Sequence, residues 1–130
     1  MNIIEWTEAF IKYKDTAFRR IDSLNVENDG VLVHNKDGSS VKWVCSGYLN
    51  DLNIDSLDNQ RIVCYNMLKN VDWVLENWDN LKDSRVVFYF VNVDKSESWA
   101  LNPKNHHLVS EKGSLKQGLY SLFESIGKVR

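Results

Sequence analysis

A chain of 130 residues with 43% hydrophobic and 26% charged residues is expected to form one globular domain over 1–130, which excludes a disordered protein. Its net charge of −2 gives no general basic footprint for nucleic acid, whose phosphates demand clustered Lys and Arg. No apolar run approaches the roughly 20 residues that span a bilayer and no charged-then-apolar leader opens the chain, so a soluble, cytoplasmic protein without membrane contact is expected.

The first element reads as a long amphipathic helix over 2–24. Trp6, Phe10, Tyr13, Ala17, Ile21 and Leu24 recur at spacings of three and four, which places them on one stripe. Asn2 and Glu5 form a capping-box pattern at its start. Asn28-Asp29-Gly30 breaks the chain before a strand at 31–33. Lys36-Asp37-Gly38-Ser39 then predicts a hairpin turn into a second strand at 41–45. The Asn- and Asp-rich stretch 48–60 reads as a packed loop. Its Asp51, Asp55 and Asp58 lack the spacing and turn glycine of a calcium loop and suit caps and turns.

A short buried strand follows at 61–65, then a second helix over 67–81 with Asn66 as N-cap. Its stripe is Met67, Val71, Val74, Leu75, Trp78 and Leu81, which leaves Trp73 on the opposite face with Asn77 and Asn80. The run Val86-Val-Phe-Tyr-Phe-Val91 is apolar on both alternating faces, the pattern of an interior strand covered on two sides. A polar turn leads to a fifth strand at 98–101, stopped by Asn102-Pro103. A loop through His107 precedes the last helix, which Ser114 and Gln117 mark with a second capping-box pattern. Cys45 and Cys64 sit among apolar residues on strands and read as buried free thiols.

The order is therefore α-β-β-β-α-β-β-α, and the fold class is α/β or α+β, with one mixed sheet of about five strands covered by helices. This order of elements resembles the core of the restriction-endonuclease-like superfamily, which runs helix, three strands, helix, strand, and the resemblance covers most of the chain. It implies a divalent metal held by an acid on the second strand and an Asp/Glu-X-Lys tripeptide on the third. Here neither 41–45 nor 61–65 carries an acid, and no acid anywhere is followed two residues later by lysine. No catalytic residue, metal ligand or cofactor is assigned on this basis.

Two surfaces remain as candidates. Trp99, Asn102, Lys104, His106 and His107 gather amides, a cation and imidazoles beside a tryptophan, a pattern suited to an anion or small ligand. Trp73, Asn77 and Asn80 resemble an interaction anchor, with Trp73 expected to be partly exposed until a partner covers it. The expected function is a non-catalytic binding or accessory protein that meets a protein partner or a second copy of itself. The alternative is a small metal-dependent hydrolase, or a divergent nuclease of the resembled fold; a homo-oligomeric structural role is a third reading.

Overall fold

The apolar run at 86–91 becomes β5 (Val87–Asn92), hydrogen-bonded to a strand on each side. The structure, a computed structural model, describes residues 1–109 and 113–129, without the side chains of Leu108 and Val109. Six strands lie side by side in chain order: β1 (Ile21–Glu27), β2 (Gly30–Asn35), β3 (Ser40–Cys45), β4 (Arg61–Tyr65), β5, and β6 (Glu97–Leu101). β1, β2 and β3 form an antiparallel meander, β3–β4 and β4–β5 pair in parallel, and β5–β6 is antiparallel. The helices are α1 (Ile3–Phe18), α2 (Leu68–Glu76), α3 (Trp78–Leu81), α4 (Pro103–Val109) and α5 (Leu115–Glu124). The class is α+β with one open mixed sheet, one strand more than the sequence suggested.

β5 serves two cores, as its unbroken apolar run requires. Phe88 and Phe90 point into a cluster with Val71, Trp73, Val74, Trp78, Leu119 and Phe123 from α2, α3 and α5. Tyr89 and Val91 point the other way, among Trp6, Ile11, Val31 and Trp43 beneath α1. Both cysteines are free; Cys64 is buried, whereas Cys45 is half-buried and donates to the Thr7 hydroxyl at 3.2 Å.

The extra strand is β1, which the sequence reading had merged into the first helix. The capping box at Asn2 and Glu5 forms as expected, but α1 stops where Arg19 turns left-handed (φ 50°). Asp15 stabilises that exit by accepting the N–H of Arg20 at 2.7 Å and of Ile21 at 3.3 Å. The β1–β2 register then shifts between Ile21 and Ser23. Such a bulge puts like-facing residues three apart instead of two, so Ile21 and Leu24 mimic a helical spacing while both are half-buried on one side of a strand. Tyr13 and Ala17, placed on the buried stripe, are exposed instead, Tyr13 to 80%. The helix buries Trp6, Thr7 and Ile11, and its residues after Ile11 are exposed or half-buried.

The loop 48–60 is packed, as expected, with short 3-10 turns at Leu49–Asp51 and Ile54–Ser56 that sink Leu49 and Leu57. Asn70 clips it down: its carbonyl oxygen accepts from Leu49 N–H, and its amide donates to the carbonyls of Gly47 and Tyr65. Asp58 accepts from the backbone N–H and guanidinium of Arg85, which lowers its pKa and ties the loop to the start of β5.

The single helix expected over 67–81 is two, because Asn77 leaves helical geometry (φ −104°, ψ 14°). Met67 is the N-cap of α2, and Asn66 lies buried in the core beside it. The loop expected after Pro103 is α4. Proline suits a first helical position, where its missing N–H has no partner to lose, and the Asn102 side chain accepts from Asn105 N–H in support. At α5 the second capping box does not form, since Ser114 already has near-helical backbone angles (φ −96°, ψ −2°) and makes no side-chain cap bond.

Candidate functional site

The structure disperses both sequence-predicted sites. Trp73 is 8% exposed and meets Phe88 edge-on at 6.3 Å, so it is core. Asn77 donates to the carbonyl of Trp73 across the break between α2 and α3, and only Asn80 of the three is exposed. The error lies in the helix phase. Asn70 and Val74 mark the middle of the buried face, and Trp73 falls within it. Asn70 is polar, so a pattern drawn from apolar residues could not count it.

Trp99 is likewise internal. It stacks on Phe90 at 4.2 Å and donates Nε1–H to Asn66 at 2.8 Å. Asn102 is engaged as the α4 cap, and Lys104 and His107 are exposed on that helix. His106 turns inward, edge-on to Trp78 at 5.9 Å. Partial burial lowers the His106 pKa from its ordinary value. The folded chain thus holds that proton less tightly than the unfolded chain does. The neutral ring's contribution to stability is complete above about pH 6.5, and it is lost as pH falls from there through the lower folded-state value. Urea midpoints measured between pH 7.5 and 5.5 should therefore fall more steeply for the wild type than for His106→Gln.

A different surface is left open. Six strands at about 4.8 Å spacing make a face roughly 24 Å across, whereas one helix with its side chains covers about 10–12 Å. α2, α3 and α5 pack on one face; α1 is the helix on the other. Clefts consequently flank α1. One of about 420 Å³ is lined by Met1, Trp6, Ala9, Phe10, Tyr13, Ser96 and Ser98. The other, of about 260 Å³, lies between the C-terminal half of α1 and strands β2 to β4, and Phe18, Trp43 and Arg61 line it.

An aromatic array forms the floor between them. Trp6 stacks on Phe10 at 4.8 Å, Phe10 meets Trp43 at 6.2 Å, and Trp43 lies 4.8 Å from Tyr89. Three cations rest on rings around it. Lys14 Nζ stands 5.1 Å from the Phe10 centroid and 5.8 Å from that of Tyr89; the Arg61 guanidinium is 5.6 Å from Trp43, and that of Arg20 is 5.3 Å from Phe18. Register explains Arg61, which pairs with Trp43 across the parallel β3–β4 ladder and so shares its face. In the sequence this surface shows only as four cations, Lys12, Lys14, Arg19 and Arg20, with one acid between them, Asp15.

Neither cysteine is poised as a nucleophile. Burial raises the pKa of the Cys45 thiol and raises that of Cys64 well above its ordinary value, away from the reactive thiolate. Among the described residues no three His, Cys, Asp or Glu side chains come together as a metal site, and no buried side-chain polar atom lacks a partner. Among them, too, no helix is long and apolar enough to cross a membrane. No protein-family model, no curated protein and no solved structure matches the chain.

Proposed function

We propose that this protein is a non-catalytic binding protein that acts through protein–protein contacts, and that its contact surface is the α1 side of the sheet. The observation that carries this reading is where the large exposed apolar side chains fall. Of the six among the described residues, Met1, Tyr13, Phe18 and Val26 belong to α1, its approach and β1. Val26 pairs with Val31, a residue of the core beneath α1, and so sits on the same face. Apolar groups gathered on one side of a molecule mark contact surfaces, whereas singly scattered ones do not.

A photo-crosslinking residue at position 18, in the full chain expressed in its native cells, tests this against one at position 104 on α4. A discrete adduct from position 18 alone is expected, and its mass tells a foreign partner from a second copy. Adducts from neither position, or from position 104 alone, would refute the reading. The double variant Tyr13→Ser, Phe18→Ser should abolish that adduct, formed in this case from position 26, while moving stability by no more than about 0.5 kcal/mol.

A further inference from the structure

We infer that the cleft between the C-terminal half of α1 and strands β2–β4 receives an acidic segment of a partner protein, carboxylates flanking an apolar side chain; this rests on the binding reading above. Lys14, Arg20 and Arg61 all line this one cleft. Among the described residues each makes a ring contact, but none makes an ion pair or a side-chain hydrogen bond. Among those residues, cations such as Lys104 and Lys116 make no ion pair either, but these three converge on one cleft, whereas Lys42 is bound by Glu27 and Asp29 and Arg85 by Asp58.

Arg61 is the most telling of the three. It is half-buried, and its five N–H donors are left without a carboxylate. A guanidinium stacked on an aromatic ring keeps its edge free for bidentate contact with a carboxylate. Asp15, the one acid in the cleft, is occupied by the backbone N–H groups of Arg20 and Ile21.

The floor between the cations is apolar, with Phe18, Val33 and Trp43 contributing. Positive groups around an apolar floor complement an apolar side chain with acidic neighbours. At about 260 Å³ the cleft is small against the roughly 300–1,000 Å³ of a usual small-ligand site, and its lining includes the exposed Phe18 and, from the edge strand β1, Ile21. A protein segment, which buries its backbone along such a surface, fits better than a free organic acid.

The probe is a fluorescein-labelled heptapeptide with three acidic residues on each side of one phenylalanine, followed by anisotropy. Its Asn/Gln counterpart serves as the control. The acidic peptide should bind at least about tenfold tighter than the neutral one and weaken with added salt. The double variant Lys14→Gln, Arg61→Gln should lose at least about tenfold, while Lys104→Gln stays within about twofold. If thermal unfolding shows that Arg61→Gln disrupts the sheet, Lys14→Gln with Arg20→Gln, both exposed, carries the same comparison.

Equal binding of the neutral peptide, or no loss in the variants, overturns the inference. So does displacement by free glutamate or inorganic phosphate at the peptide's own concentration, which would mark a small-anion site. A crosslink from position 18 that persists without acidic-peptide binding sinks this inference alone; loss of both sinks the binding reading as well.

Discussion

Replacing Phe88 by alanine should cost about 3–5 kcal/mol, a large share of the 5–15 kcal/mol that holds a typical domain folded. Phe88 is fully buried, with Trp73 edge-on at 6.3 Å and Phe90 tilted against it at 6.3 Å. Ile62 and Leu101 are its partners on the flanking strands. Neighbours on a paired sheet cannot collapse into the vacated space without breaking their own ladders, so most of the cavity should persist. Urea unfolding followed by tryptophan fluorescence would read the loss directly. A cost under about 1 kcal/mol would mean the core relaxes around the hole. Phe88→Leu, which keeps most of the volume, should cost under about 2 kcal/mol by the same measurement.

The second large effect is expected at Asn66. Its side chain accepts from Trp99 Nε1–H at 2.8 Å and donates to the carbonyls of Phe123 and Gly127, both at 3.1 Å. Its backbone donates to Val91 and accepts from Val129. One residue at the end of β4 thus joins β5, the β6 tryptophan and the chain after α5. Asn66→Ala removes the side-chain bonds and leaves the indole N–H and the Phe123 and Gly127 carbonyls without their side-chain partner. At about 1–3 kcal/mol for each buried group left unpaired, the loss should reach roughly 3 kcal/mol or more. Asn66→Asp makes the more discriminating variant. It keeps an acceptor for Trp99 but sets a carboxylate against two carbonyls, and should be about as damaging at neutral pH. If Asn66→Asp matched the wild type in denaturant midpoint, the two carbonyl contacts would be unimportant.

What the sequence revealed follows from which residues carry a pattern. The run at 86–91 could be read as an interior strand because every position in it is apolar, and Phe88 and Phe90 lie on one face as alternation demands. Asp37-Gly38 could be read as a turn because Gly38 adopts a positive φ of 90° that disfavours other residues. β1 was hidden because a single bulge gave Ile21 and Leu24 a helical spacing. The phase of α2 was hidden because Asn70, at the middle of its buried face, is polar and serves as a loop clip. Both proposed sites suffered in the same way. Helix phase places Trp73 on the outer face and the polar loop after it makes Trp99 part of a ligand site, whereas both are core, with Asn77 and Asn66 bonding inward beside them. The α1 cleft was invisible because Arg61, Trp43 and Lys14 belong to three separate elements and meet only through register and helix placement.

The sheet's strand order has a consequence for how the chain assembles. Because β1 to β6 lie in the sheet in the order they occur in the chain, no strand ever has to be threaded between two that are already paired. Each can add to the edge left by the one before it. The β1–β2–β3 meander closes over short loops at little entropic cost, and the longer connections to β4 and β5 each extend that edge by one strand. A chain leaving the ribosome could therefore build the sheet from its N-terminal edge as it emerges. The final contacts of this sheet would be those that need α5 and the residues after it, namely the bonds from Asn66 to Phe123, Gly127 and Val129. Newly made chains should stay sensitive to protease until Phe123, Gly127 and Val129 have emerged, however complete the meander already is.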